Sequence, residues 1–269
     1  MDRVPICFIE EVLLQLADTP RFMDRKYPSM WGEVADMKLA REKADLYIYL
    51  ESKEQAYFCV DDDDGPVELD CIGQFVFVKI RVTDDRDDDF NTRELPEFHP
   101  LTEKNFKLLH NVIRKPFPSD LDLDFLTYPI HPLVQRLCMA IPRVAKLDLS
   151  SQGPLSMDTL TRSIERETLS HLSCYIDMHV TKEMLPVLLR FAAFEKMKKF
   201  QITISEDSPV SYKALCNEVI SAVETRKRGC CVAVDPDYKY SSPYLVVMGG
   251  NVEVNESCRN RHIFVRIRE

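Results

Sequence analysis

The clearest helical pattern in the chain lies near its amino end, over residues 5–17. Apolar residues recur there at the spacing of one helix face, and polar residues fill the positions between them. The apolar positions are Ile9, Val12, Leu13 and Leu16. Pro5 suits the first turn of a helix, and Pro20 follows its end. A second, weaker helical pattern runs from about residue 29 to residue 43.

The pattern changes to short extended runs after residue 43. Four runs alternate or are rich in β-branched and aromatic residues, which is typical of strands. They cover residues 44–50, 55–60, 67–71 and 75–82. Four aspartates and Gly65 separate the second run from the third, and this predicts a tight hairpin because glycine accepts a positive φ. A second acidic run, residues 84–89, predicts a solvated loop.

Extended segments then recur at a nearly constant interval. They are centred near Leu123, Leu147, Tyr175, Ile202 and Val232, which are 24, 28, 27 and 30 residues apart. Helical patterns occupy most of the intervals, at residues 132–141, 157–167, 182–194 and 212–225. An α/β fold follows, and the interval favours an irregular leucine-rich-repeat-like array of strand–helix units. An ordinary α/β sheet with right-handed crossovers gives similar spacing, and Ser150 stands where a repeat consensus would place asparagine or cysteine.

The carboxyl-terminal part of the chain predicts two or three more strands. They cover residues 244–248, 252–254 and 262–267, with a turn at Gly249, Gly250 and Asn251. Arginines alternate with Ile263, Val265 and Ile267, which predicts an edge strand with one face in water.

Composition narrows the functional classes. Hydrophobic residues make up 45% of the 269 residues, enough for a sizeable core. A net charge of −9 disfavours a dedicated nucleic-acid binder, whose affinity depends on neutralising phosphates. Neither a secretory signal nor an apolar run long enough to span a bilayer is present, so we expect a soluble protein of the cytoplasm or nucleus. The nine cysteines are irregularly spaced and predict neither a zinc site nor a disulfide framework.

Motifs for chemistry are sparse. The seven glycines form no phosphate-binding loop, so no nucleotide cofactor is expected. His171, Cys174 and His179 lie close in sequence, but a strand here would point Cys174 and His179 to opposite faces. An enzyme of unrecognised type, built around Cys174, His171 and Asp177, is the weakest of three alternatives. The sequence favours a protein that binds other proteins.

The amino-terminal residues resemble an F-box. Val4 and Pro5 precede the amphipathic helix that ends near Leu16, as a Leu-Pro-like dipeptide opens that motif. The sequence Trp31, Gly32, Glu33, Val34 and Ala35, which leads into the first predicted strand, is similar to nematode F-box-related proteins. The apolar-rich middle portion of a full F-box is missing or shortened here.

The resemblance implies two regions. Residues 1–43 would form a degenerate F-box-like helical segment, and residues 44–269 an α/β repeat-like interaction domain. The first would dock on the adaptor subunit of a cullin–RING ubiquitin ligase, and the second would capture an unknown protein substrate. The implied docking residues are Val4, Pro5, Ile9, Val12, Leu13 and Leu16. The alternative is a repeat-type binding scaffold without a ligase connection.

Overall fold

The computed structural model confirms the α/β class. It describes residues 12, 42–84, 98–126, 129–150, 153–224, 230–236, 244–248, 254–256 and 262–265. Within these ranges, no helix combines the length and the apolar character needed to cross a membrane.

Strands and helices alternate along most of the described chain. The strands are β1 (Lys43–Leu50), β2 (Ala56–Asp62), β3 (Gly65–Pro66), β4 (Val76–Thr83), β5 (His99–Pro100), β6 (Ser119–Asp124), β7 (Val144–Leu149), β8 (His171–Met178), β9 (Lys199–Ile204), β10 (Cys231–Pro236), β11 (Tyr244–Met248), β12 (Val254–Glu256) and β13 (His262–Val265). The helices are α1 (Glu103–Ile113), α2 (Pro132–Ala140), α3 (Pro154–Glu165), α4 (Met184–Ala192) and α5 (Tyr212–Glu224). A short 3-10 helix spans Ile72–Gln74.

All these strands belong to one sheet, in the order β12-β13-β11-β10-β9-β8-β7-β6-β4-β1-β2-β3, with β5 paired to β2. The run from β1 through β4 to β10 is parallel. From β4 onward each parallel strand lies beside the one before it, and the order never reverses. A doubly wound sheet reverses its strand order and opens a ligand crevice at that point. This parallel run has no such reversal.

The unreversed order places the helices on one side of the sheet. Right-handed crossovers that advance in one direction return each helix to the same face. Side-chain burial in β6 agrees, since Leu121 and Leu123 are 1% and 0% exposed while Asp120 and Asp122 are half-buried. The leucine side faces the helices and forms one continuous apolar core with them.

Local chemistry explains where the helices begin. Pro132 and Pro154 occupy first-turn positions, where a missing N–H costs nothing. The backbone N–H of Asn105 donates to the Thr102 hydroxyl at 3.3 Å and caps α1. Helix α1 was not among the predicted elements, although its buried residues have helical spacing. They are Phe106, Leu109, Val112 and Ile113.

Most of the predicted elements are confirmed. Strands β1, β2, β4, and β6 to β10 fall on predicted extended segments, and α2 to α5 fall on predicted helices. The acidic hairpin is also confirmed. The Asp62 carboxylate accepts from the N–H groups of Asp64 and Gly65 at 2.9 and 3.0 Å, and Gly65 has φ of +131°. The leucine-rich-repeat-like description stays a prediction.

Three of the predictions are wrong in part. Residues 67–71 are not a strand, because the chain turns after β3 and Cys71 N–H donates to the Glu68 carbonyl at 2.9 Å. Apolar side chains of that turn pack on the core and imitate a strand pattern. β13 is not an edge strand, since it pairs with β11 and β12. Lys43, predicted as the last residue of the second helix, is instead the first residue of β1.

Other predictions cannot be compared with the structure. The helix at 5–17, most of the second helix, residues 85–89 of the acidic loop and the turn at Gly249 to Asn251 lie outside the described residues, except for Val12, which is helical. The second predicted tail strand is shifted, since β12 begins at Val254, where the predicted strand ends.

Shortening a leucine on the helix side of the sheet should destabilise the protein. Leu147 is 0% exposed, so Leu147→Ala should leave a cavity and lower the free energy of unfolding by roughly 2–5 kcal/mol. Leu126 is 78% exposed and provides the matched control. Leu126→Ala should change the free energy of unfolding by no more than about 0.5 kcal/mol. Urea unfolding measures both. Equal effects of the two substitutions would contradict the one-sided core.

Candidate functional site

The side of the parallel strands that faces away from the helices is polar, and we call it the polar face. It alternates, residue by residue, with the buried side of the same strands. The polar residues of adjacent strands are paired in register, so the polar face continues across the sheet. Its central residues are Asp45, Lys79, Arg81, Asp120, Asp122, Asp124, Lys146, Asp148, His171, Ser173, Lys199, Gln201 and Thr203.

Arg81 of β4 organises the acidic part of this face. Its Nη2 lies 3.0 Å from an Asp124 carboxylate oxygen, and its Nε lies 3.5 Å from one of Asp122. The arginine side chain is only 14% exposed, whereas Asp124 is 36% exposed. The partly buried guanidinium therefore holds two aspartates of the next strand, and one of them remains within reach of water.

Asp148 is the next carboxylate along the face. It lies directly opposite Asp122 in the register of β6 and β7. Like charges at facing positions of adjacent strands repel. Among the described residues, no cation forms an ion pair with Asp148, so this repulsion is not offset by a local partner.

Burial shifts the titration of the aspartates. It raises the pKa of Asp122; the nearby Arg81 opposes this shift, and repulsion from Asp148 and Asp124 adds to it. Burial also raises the pKa of Asp45 on β1, with Lys79 opposing and Asp61 adding. Burial therefore disfavours the charged form of Asp45 and Asp122.

The amino ends of β7 to β9 carry the opposite charge. Lys146 Nζ lies 2.5 Å from an Asp120 carboxylate oxygen. His171 follows on β8, and its Nδ1 lies 2.8 Å from the Ser170 hydroxyl. Burial lowers the pKa of His171, and the charges of Lys146 and Lys198 lower it further. The polar face is therefore acidic over β6 and β7 and basic toward the amino ends of β8 and β9.

Two buried hydroxyl groups lie on the polar face beyond Asp148. Ser173 is directly opposite Asp148 in the register of β7 and β8 and is 2% exposed. Thr203 of β9 is 7% exposed. The polar face therefore carries buried residues with hydroxyl groups as well as charged residues.

The predicted docking residues of the amino-terminal helix lie almost wholly outside the described part of the chain. These are Val4, Pro5, Ile9, Leu13 and Leu16. Val12 is described, and it is helical and half-buried. The docking role of all six residues stays a prediction.

The cysteine and histidines of β8 do not form a catalytic pair. Cys174 is 1% exposed on the helix side, where burial raises the pKa of its thiol, and His171 lies on the polar face. His179 follows the strand, and its Nδ1 lies 3.6 Å from an oxygen of Asp207, which is 80% exposed. Asp177 pairs with Thr203 through the backbone of β8 and β9. The structure therefore separates Cys174 from His171.

The sequence prediction missed the polar face, although one signal for it was present. Strands of a parallel sheet covered on both sides are usually continuous apolar runs. β6 instead reads SDLDLD, and β7 ends in KLDL. Strict alternation in adjacent parallel strands predicts that one side meets water or a partner.

The chain was compared with known proteins in three ways. No protein-family model matches it, and the searches of curated proteins and of solved structures also found no match. The structure itself defines the class of protein, which is an α/β protein whose helices form a layer on one side of the sheet.

The titration of Asp122 should be visible in the pH dependence of stability. Because its pKa is raised on folding, the folded protein takes up this proton at a higher pH than the unfolded chain. We expect the unfolding free energy of the wild type to rise, relative to Asp122→Asn, as the pH falls from neutral to about 4. Urea unfolding of both proteins over this range measures the difference. A difference that stays constant would contradict the shift.

Proposed function

We propose that the chain is a protein-interaction module that binds a partner protein on the polar face of its sheet. The observation that carries the proposal is the alternation in β6 and β7, which places charged side chains on one side of a parallel sheet while the leucines of the other side are buried under helices. A parallel sheet normally buries both faces. Stacked strand–helix arrays are the exception, and they use the uncovered strand face for binding.

The size of the polar face fits a protein partner. Seven parallel strands spaced about 4.8 Å apart extend about 29 Å, and six residues of strand extend about 20 Å. The resulting area of about 600 Å² approaches the roughly 800 Å² that each partner contributes to an interface of standard size. A small molecule would need a concave pocket instead.

The electrostatics of the face favour a protein over a nucleic acid. Three carboxylates of β6 and one of the adjacent β7 lie near the middle of the parallel run, namely those of Asp120, Asp122, Asp124 and Asp148. A phosphate backbone would be repelled there, and the whole chain carries a net charge of −9. A protein surface with mixed charges can complement both the acidic and the basic part of the face.

A matched pair of substitutions tests the polar face. Gln201 lies on the face beside Ser173, and Gln135 is exposed on α2 in the helix layer. Gln201→Arg should add bulk and charge to the interface and lower partner capture at least about tenfold, whereas Gln135→Arg should leave it unchanged. Quantitative affinity purification from the source cells measures partner capture by the wild type and by each of the two variants. Partners lost equally from both variants, or from neither, would contradict the proposal.

The ligase connection is the second part of the proposal. Its support is the sequence of residues 1–43, in which Val4, Pro5 and the apolar positions to Leu16 resemble the start of an F-box. An amphipathic helix laid in an apolar groove is a recurrent mode of recognition. The chain would then act in the cytoplasm or nucleus as a substrate-recognition subunit of a cullin–RING ligase. In the alternative version the chain is a binding scaffold that uses the polar face to bind its partner and has no connection to a ligase.

A charge placed on the apolar side of the amino-terminal helix should separate these two versions. Leu13→Glu should abolish capture of the purified ligase adaptor subunit, because a carboxylate cannot be buried unpaired in an apolar groove. Gln15→Glu adds the same charge on the predicted outer side and should retain capture. Pull-down with circular dichroism as a check of folding measures both. If the wild type does not bind the adaptor subunit, the ligase connection is wrong and the binding scaffold is the version that remains.

A further inference from the structure

We infer that the partner on the polar face is a second copy of this chain, and that the two copies pack face to face about a two-fold axis along the boundary between β7 and β8. This inference rests on the proposed function, because it names the partner that the same face would bind. The described helices lie on the other side of the sheet, so none of them covers this face. A second copy would therefore meet no described helix there.

The boundary between β7 and β8 divides this part of the polar face into two halves of different charge. In the acidic half, on β6 and β7, four aspartates and one lysine give a formal charge of −3. In the basic half, on β8 and β9, none of the described side chains is a carboxylate. The acidic half consists of Asp120, Asp122, Asp124, Lys146 and Asp148, and the basic half of His171, Ser173, Lys199, Gln201 and Thr203. Each half therefore attracts the other.

Two-fold symmetry brings these unlike halves together. In a symmetric dimer both copies use the same patch, so every contact occurs twice. If the axis follows the boundary between β7 and β8, then β7 of one copy lies over β8 of the second copy, and β6 lies over β9. The acidic half of each copy then lies over the basic half of the other. An unrelated protein would have to carry a matching pattern of its own, whereas a second copy carries it because of the symmetry.

The strand register places Asp120 opposite Lys199 of the second copy. Asp120, Lys146, His171 and Lys199 stand in one row, because each pairs with the next in register. Asp120 and Lys199 are the two ends of this row and are equally far from the axis. Asp120 is 37% exposed beside its ion pair with Lys146, so its carboxylate can accept from a second cation as well. Stacked sheets lie about 10 Å apart, a gap that an aspartate and a lysine side chain span together.

The area of the face is sufficient for a dimer. Two copies that contribute about 600 Å² each bury about 1,200 Å², which is the lower end of the range for specific interfaces. The net charge of −9 on each copy opposes their approach. Salt at about 0.15 M screens charges that are farther apart than about 8 Å and affects pairs in contact less. We therefore expect a dimer that is in equilibrium with the monomer.

An exchange of charge between the two ends of the row tests this dimer. The variants are Asp120→Lys and Lys199→Glu. The matched controls are Asp158→Lys on α3 and Lys107→Glu on α1, at exposed positions of the helix layer. Sedimentation equilibrium of the purified full chain at about 0.15 M ionic strength measures the dissociation constant of the dimer. Circular dichroism and urea unfolding check that each variant is folded.

We expect the wild type and both controls to form the dimer. Each variant of the row should weaken self-association at least about tenfold, because Asp120→Lys places a second cation opposite Lys199 and Lys199→Glu places a second carboxylate opposite Asp120. An equimolar mixture of these two variants should dimerise again. One of its two facing pairs has exchanged charges, and the other is the original pair. Two misfolded variants would not recover on mixing, so the mixture separates a lost contact from a lost fold.

Three results would overturn the inference: a wild type that is monomeric at every concentration, a dimer that neither variant of the row weakens, or two folded variants whose mixture does not recover. The proposed function is judged separately by partner capture. If the wild type is monomeric but Gln201→Arg abolishes capture of a different protein, the dimer is wrong and the proposed function stands. If neither Gln201→Arg nor the exchange of charge has any effect, both are wrong.

Discussion

Each parallel strand buries one of its sides beneath a neighbouring helix, and this burial dictates what the other side carries. A strand points alternate side chains to opposite faces, so a strand that buries Leu121 and Leu123 must present Asp120 and Asp122 on the other side. Crossovers between parallel strands are right-handed as a rule, and because the strand order here advances in one direction, the described helices lie on the same face. The core is therefore single-sided, and the opposite side of the sheet is left to polar residues.

This division has an electrostatic consequence. The register of the strands fixes which charged side chains are neighbours. Not all of these side chains can therefore form ion pairs with a residue of opposite charge. Arg81 forms ion pairs with Asp122 and Asp124, and its side chain is only 14% exposed. Asp148 and Asp122 remain opposed. Local conflicts of this kind within an otherwise consistent fold are typical of functional surfaces, where stability is given up for binding.

The separation of the two faces also bears on catalysis. Cys174 and His171 are three residues apart in sequence, yet the strand sends one into the core and the other to the polar face. Burial suppresses ionisation of the Cys174 thiol, which is the opposite of what a nucleophilic cysteine needs. A binding surface spread over several strands, with side chains from each, agrees better with the arrangement of charges than a compact catalytic centre does.

Most strands and helices can be placed from the amino-acid sequence alone, because hydrophobic periodicity and turn residues such as Gly65 act locally. The sequence pattern did not locate α1, and it read residues 67–71 as a strand because the apolar side chains of a turn can pack on a core with the spacing of a strand. The alternation in β6 and β7 indicates that one side of these strands is polar, but the assembly of those polar sides into one face depends on the tertiary structure. Asp122, Asp148 and Ser173 are up to 51 residues apart in the chain, and only the order and register of β6, β7 and β8 bring them into one row. Register depends on contacts between distant segments, and no local pattern encodes it.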